Sequence, residues 1–219
     1  MYNDVAAVIE YCHNMLKASE DAKAYLKARH ITKDIVIEFN LGFVPQNCPT
    51  FLQRFRERII FPISDPCGRY VGWTARTIGN LEPKYLNTQD SPIFKKGRLL
   101  YNYDKAKPIV QDKGWVVLVE GQFDALRLYQ EGIKNVVASS STAFKPAMAR
   151  ILARYANRVY IAYDGDRAGI EATEKVFAML LNNGIQPFCV RLPDKEDPDS
   201  FIRIHGIAEF QKLMKVARG

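Results

Sequence analysis

From Trp115 onward the sequence alternates short apolar runs with helical patterns, and this alternation limits the fold more than any other feature. The apolar runs occupy residues 116–119, 136–138, 159–163 and 188–192, and helical periodicity begins near Phe123, Pro146 and Ala168 between them. A parallel neighbour can be reached only by a crossover, so strands separated by helices predict a parallel sheet covered on both faces. The crossovers are right-handed, and the loops leaving the strands gather at the carboxyl edge, where open α/β sheets bind their ligands.

Three of the four runs lead into acidic residues. The first continues as Glu120-Gly121-Gln122-Phe123-Asp124, the third as Asp164-Gly165-Asp166-Arg167, and the fourth as Asp197-Pro198-Asp199 beyond Leu192-Pro193. A parallel sheet would therefore collect Glu120, Asp164 and Asp166 at one edge, with Asp197 and Asp199 near them. Carboxylates placed so close repel one another unless cations lie among them. Hard divalent ions take oxygen ligands and bridge phosphates, so the pattern points to phosphoryl or nucleotidyl transfer. Gly121 and Gly165 fit that reading, since backbone lacking Cβ can turn sharply beside a ligand. Plainer roles are open for three of the acids. Asp197 or Asp199 could cap a helix through Phe201, with Pro198 at its first position. Asp124 could be a surface carboxylate favoured by the dipole of its helix.

The front of the chain has a different character. Val5, Val8, Ile9, Cys12, Met15 and Leu16 recur at helical spacing, and Ala22, Tyr25 and Leu26 begin a second helix. Thr32-Lys33-Asp34 can cap a third that carries Ile35, Ile37 and Phe39, after which Gly42 and Pro45 end the regular structure. Residues 58–109 read as strands and turns. Two β-type runs flank Asp65-Pro66-Cys67-Gly68, predicting an antiparallel hairpin, and Pro62 argues for an edge position or a bulge. A loop-rich segment follows, with Pro83-Lys84-Tyr85-Leu86-Asn87 and Phe94-Lys95-Lys96-Gly97-Arg98. The expected architecture is α/β: an α+β front half over residues 1–110 and a parallel-sheet half over 111–219.

Charge supports a polyanionic partner. The net charge is +7, and residues 51–110 hold 11 Lys plus Arg against 5 Asp plus Glu, a local excess of +6. A solvated basic face is the plain alternative. Cys12, Cys48, Cys67 and Cys189 form no Cys-x-x-Cys pair and are not spaced with His13, His30 or His205 as zinc ligands, so no zinc is expected. No apolar run approaches the length of a membrane span, and the start lacks the pattern of a secretory signal. A cytoplasmic protein of a bacterium, or of a phage or plasmid in a bacterial host, is expected.

Glu120-Gly121 followed by Asp124, then Asp164-Gly165-Asp166, resembles the Toprim signature of DnaG-type primases, topoisomerases and some nucleases. The middle of the chain narrows this. Arg58-Ile59-Ile60-Phe61-Pro62-Ile63, the segment from Gly72 to Arg76, Pro83 to Asn87, Phe94 to Gly97 and Leu99-Leu100-Tyr101 resemble the DnaG catalytic core. So do Tyr25-Leu26 through Leu41-Gly42-Phe43-Val44-Pro45, Tyr163 to Gly169, and Pro193 through Asp199.

The resemblance implies a DNA primase: divalent-metal-dependent synthesis of short RNA primers from NTPs on a single-stranded DNA template. Glu120, Asp164 and Asp166 would be the main ligands of Mg²⁺ or Mn²⁺, supported by Asp124, Asp197 and Asp199. Arg76, Lys84, Asn87 and Lys96 stand where the family contacts nucleotide phosphates and nucleic acid. The family often has an aromatic residue where this chain has Gln122, and a more glycine-containing turn where it has Ser139-Ser140-Ser141-Thr142. The family's zinc module and helicase-binding domain fall outside this sequence, so a replicative helicase or a zinc-module partner would engage through regions not present in it. A metal-dependent Toprim nuclease and a non-catalytic single-stranded DNA binding module remain the rival readings. A topoisomerase would need a further domain bearing a strand-cleaving tyrosine.

Overall fold

The computed structural model describes residues 1–140 and 143–219; Ser141 and Thr142 of the serine-rich turn lie outside the described residues. The chain divides into two compact units, Met1–Lys95 and Lys96–Gly219.

In the first unit, helices α1 (Tyr2–Ala18), α2 (Glu20–Ala28) and α3 (Lys33–Glu38) lead into strands β1 (Gly42–Val44), β2 (Arg58–Ser64), β3 (Tyr70–Thr77) and β4 (Tyr85–Asn87). The strands form one antiparallel sheet in that spatial order. Ser19 and Thr32 accept hydrogen bonds from Ala22 N and Ile35 N, so α2 and α3 each begin on a side-chain cap, as the sequence pattern predicts for α3. Cys12 on α1 packs with Val44, Leu52, Phe55, Ile60, Trp73 and Ala75 in the core under the sheet. The predicted hairpin joins β2 and β3. Asp65 Oδ1 accepts from Cys67 N at 2.9 Å and Arg69 N at 3.1 Å, and Gly68 takes the positive φ of +82° that closes the turn.

Two front-unit expectations need correction, and of the two readings of Pro62 only one holds. The strand carrying Pro62 is not an edge strand, since β2 lies between β1 and β3, but the bulge offered as the alternative is present just past Pro62, where the β2–β3 register shifts between Ile63 and Ser64. Pro62 is tolerated there because β1 pairs no further along β2 than Ile60. Its partner Trp73 turns both backbone groups toward Thr88, so no ladder bond to Pro62 is missing on that side. Residues 42–44 form β1 where the chain was expected to turn irregular, and Tyr85–Asn87 form β4 within the expected loop. Three residues are too few to display a period.

In the second unit a 3-10 turn at Lys96–Arg98 precedes α4 (Tyr103–Lys113). The helix replaces the strands and turns expected up to residue 109. Pro108 lies inside it and hides it from a sequence reading, yet Tyr103, Ala106 and Val110 are buried at helical spacing. The chain then alternates as anticipated: β5 (Trp115–Val119), α5 (Gln122–Gln130), β6 (Val136–Ala138), α6 (Pro146–Leu152), β7 (Arg158–Ile161), α7 (Arg167–Leu181) and β8 (Gln186–Cys189), followed by α8 (Pro198–His205) and α9 (Ile207–Val216). All neighbours in the sheet are parallel, in the order β6-β5-β7-β8. The last strand starts at Gln186 rather than 188, with Pro187 tolerated because β8 is the edge.

The pleat sends alternate residues to opposite faces of this sheet. Val116, Leu118, Val137, Val159 and Ile161 share a core with Ala106 and Val110 of α4, Met148 and Leu152 of α6, and Val176 and Leu180 of α7. Val117 and Val119 are equally sealed. Burial on both sides explains why the strands read as unbroken apolar runs. No helix among the described residues is long and apolar enough to cross a membrane.

Candidate metal centre

Glu120 follows β5 directly, and its carbonyl accepts a hydrogen bond of 3.0 Å from Ser140 N, just past the end of β6. Asp164 stands beyond the end of the neighbouring strand β7. Burial pushes the Glu120 carboxyl up to about 7, and the negative charges of Asp164 and Asp166 act in the same direction. Oε1 of Glu120 is buried with no hydrogen-bond partner among the described residues. Asp166 is the N-cap of α7, accepting from Gly169 N at 2.8 Å, and stays exposed. Asp197 caps α8, accepting from Ser200 N at 2.6 Å, with Pro198 at the first helical position. Its capping role, one of the two readings of the sequence, is therefore observed.

Asp124 and Asp199 lie deeper. Asp124 is only 6% exposed, so it is not the surface carboxylate of the plainer reading. Its Oδ2 accepts from Gly121 N at 3.1 Å and its Oδ1 from Asp199 N at 3.2 Å. Burial, then the charges of Asp197 and Asp164, hold its carboxyl well above the usual range. Asp199 is fully buried and ion-paired, Oδ1 to Arg127 Nε at 2.9 Å and Oδ2 to Arg203 Nε at 3.4 Å. Nothing in the local sequence marks Arg127 as its partner, because the two are 72 positions apart. Gln122, at the position where the resemblance leads one to expect an aromatic, is fully buried with no hydrogen-bond partner among the described residues at either end of its amide.

The glycines here are required by neighbouring backbone. A Cβ on Gly165 would lie 1.9 Å from the Pro193 carbonyl oxygen, and one on Gly169 would lie 2.1 Å from that of Asp164. The loop entering α8 is thereby seated against the Asp164-Gly165-Asp166 turn, where Gly165 N donates to Glu196 O at 2.8 Å.

Among the described residues no three His, Cys, Asp or Glu side chains are grouped so as to hold a metal ion. The donor set nevertheless suits a hard divalent cation: an acidic edge made only of oxygen donors, with one buried carboxylate oxygen lacking a partner among the described residues. A consequence for metal-free protein follows from Glu120. Its folded pKa lies above the ordinary value of 4.5, so its contribution to stability is complete below pH 4.5 and is lost as pH rises to about 7. Because the group is only partly buried, the loss is discounted for solvent screening to about 1–2 kcal/mol, roughly 2–8 °C in Tm for a chain of this size. In thermal melts with chelator, Glu120→Gln should match the native protein at pH 4.5 and exceed it by that margin at pH 8. Saturating Mg²⁺ at pH 8 should erase the difference. Equal melting of both proteins at pH 8 in chelator would contradict the assignment.

In the first unit, Arg76 on β3 faces Tyr85 on β4, with its guanidinium hydrogen-bonded to the phenol and 5.1 Å from the ring centroid. Arg76 and Lys84 line one open cavity of about 380 Å³, together with Tyr25, Arg29 and Glu82. Tyr25 and Arg29, which the sequence reading did not select, stand one helical turn apart and so reach the same place. Asn87 shares the sheet face of Arg76 and accepts from Thr74 Oγ1 at 2.7 Å, but it does not line the cavity. Lys96 belongs to the second unit, where the Lys145 side chain packs against Gly97.

Residues 47–107 match the family described as the N-terminal domain of the DNA primase catalytic core, and residues 117–202 match the Toprim-like family, which implies a divalent metal. The chain is 34% identical to the DNA primase of Aquifex aeolicus over 98% of its own length, and it spans 48% of that relative. A solved structure of the Aquifex aeolicus primase, comprising zinc-binding and RNA polymerase domains, is 33% identical with a TM-score of 0.93; the match covers 99% of this chain and 60% of that one. The DnaG primase catalytic domain, solved bound to single-stranded DNA, is 32% identical with a TM-score of 0.90 over 99% of this chain and 78% of that one. With the two family models matched in succession along one chain, and 78% of a solved DnaG catalytic domain covered at 32% identity, the protein belongs to the DnaG-type primase catalytic-core family.

Proposed function

We propose that this chain is the polymerising core of a primase, joining ribonucleotides on a single-stranded DNA template with the help of Mg²⁺ or Mn²⁺. The observation that carries the reading is the acidic edge of the parallel sheet, where Glu120 lies under the charges of Asp164 and Asp166 with one buried oxygen lacking a partner among the described residues. Glu120, Asp164 and Asp166 would hold the metal, with Asp197 beside them, and Asp124 and Asp199 would support them from beneath. When bound, the metal would activate the attacking 3′-hydroxyl and neutralise charge on the departing pyrophosphate.

The protein's own part is positioning and charge. Arg76 and Lys84, with Asn87 on the same sheet, would pair with phosphates of template or nucleotide through the front unit. Lys96 would do the same from the second unit. Phosphate contacts of this kind fix register without reading sequence, so template binding would be salt-sensitive. The single-stranded DNA in the solved relative supports this choice of partner. A replicative helicase or a zinc-module protein would act through parts of a full-length primase beyond those matched here.

The test is to incubate the protein with single-stranded DNA, labelled ribonucleotides and Mg²⁺ or Mn²⁺, with and without a primer on the template. Template-dependent oligoribonucleotides are expected, most abundantly on the primed template. Shortening of the labelled template instead would replace the primase reading with the nuclease. Template binding with neither product would leave the binding module.

A further inference from the structure

We infer that Arg127 is a positioning residue of the acidic cluster, a built-in cation that withdraws Asp199 from the metal ligands and locks α8 against α5. The inference rests on the metal-holding part of the proposed function and adds a division of labour among its carboxylates.

The Arg127 side chain is 4% exposed and that of Asp199 is 1% exposed, and they meet through Nε and Oδ1 at 2.9 Å. Arg203 reaches the other oxygen of Asp199, and Glu131 lies 3.4 Å from Nη1 of Arg127. A hard cation brings part of its hydration shell and needs oxygens it can reach. The carboxylate of Asp199 is sealed and already faces two guanidinium groups.

Burying such a pair brings little net stability, because desolvation offsets most of the attraction. What the pair does provide is position. Asp199 N donates to Asp124, and Asp124 accepts from Gly121 N, so hydrogen bonds run without a break from the Glu120-Gly121 turn to the first turn of α8. Asp197 caps that same helix two residues ahead of Asp199. Holding Asp199 with Arg127 therefore sets where Asp197 stands relative to Glu120. It also leaves one fewer uncompensated carboxylate for the metal to neutralise.

The experiment measures Mn²⁺ affinity of the protein without template or nucleotides, alongside thermal melts in chelator, for native protein, Glu120→Gln, Asp199→Asn, Arg127→Met and Arg127→Lys. Glu120→Gln should weaken Mn²⁺ binding at least tenfold. Asp199→Asn still offers an oxygen to Arg127 and keeps its own N–H for Asp124, so its affinity should stay within about threefold of native. Arg127→Met should weaken Mn²⁺ binding by about 10–100-fold, as losses behind metal ligands do, and Arg127→Lys should recover most of it.

A lower Tm for Arg127→Met with native Mn²⁺ affinity would make the residue structural only and overturn the inference. So would an Asp199→Asn variant that loses Mn²⁺ as completely as Glu120→Gln, and this arm decides the matter even if Arg127→Met does not fold. Failure of the native chain to bind Mn²⁺ would instead sink the metal-holding function, and the inference with it.

Discussion

Glu120→Gln and Asp164→Asn are expected to reduce template-directed ribonucleotide synthesis about a thousandfold or more, while leaving the protein folded. The ranking comes from what each carboxylate already does. Asp166 and Asp197 each spend an oxygen on a helix N-terminus. Asp124 spends both oxygens on backbone N–H groups, and Asp199 lies between two guanidinium groups. Glu120 accepts from the Asp164 backbone N–H but keeps one buried oxygen without a partner among the described residues, and its carboxyl is raised to about 7 by burial and by the charge of Asp164. Such a group is costly in metal-free protein and has the most to gain from a cation. Removing one anionic ligand should forfeit several kcal/mol of charge stabilisation, and about 4 kcal/mol corresponds to the thousandfold loss. Asp166→Asn and Asp197→Asn should lose less, since Asn is also a good N-cap and preserves the starts of α7 and α8. Synthesis by Glu120→Gln within tenfold of native at saturating Mn²⁺ would remove Glu120 from the centre of the site.

The acidic edge was legible because it needs only local signals: an apolar run, then an acid, repeated at strands that topology makes neighbours. Glu120 and Asp164 follow from that pattern, as does the parallel sheet that brings them together. The roles of Asp124 and Asp199 were not legible. Asp199 meets Arg127, which belongs to the buried pattern of α5, and Asp124 meets the N–H of Asp199, only once α8 folds back onto that helix. The cavity holding Arg76 and Lys84 was half legible for a similar reason. Both cations stand out in the basic middle of the chain, but Tyr25 and Arg29 come from α2, and no spacing in sequence announces their arrival. Helix α4 was lost to a true signal outweighed by context. Pro108 disfavours a helix interior, and the burial of Tyr103, Ala106 and Val110 against the sheet overrides it.

Gly165→Ala should be the most damaging single methyl in the second unit. The new Cβ would fall 1.9 Å from the Pro193 carbonyl oxygen and 2.9 Å from that of Leu192, both backbone atoms that no rotamer change can move aside. The loop must therefore retreat, stretching the 2.8 Å bond from Gly165 N to Glu196 O. Overpacking of this kind typically costs 1–3 kcal/mol, and the contact here is severe, so about 3 kcal/mol is expected, roughly 6–12 °C in Tm. The effect should also reach the metal, because the displaced loop leads directly into Asp197, the cap of α8. Mn²⁺ affinity should fall in the variant even at temperatures where it is fully folded. Gly79→Ala is the matched control: nothing lies within 4 Å of its Cβ position, and its Tm should stay within about 1 °C of native or rise slightly as the unfolded chain loses freedom. If Gly165→Ala melts with that control and binds Mn²⁺ normally, the loop does not rest on the Asp164-Gly165-Asp166 turn, and the fixed spacing between Asp164 and Asp197 goes with it.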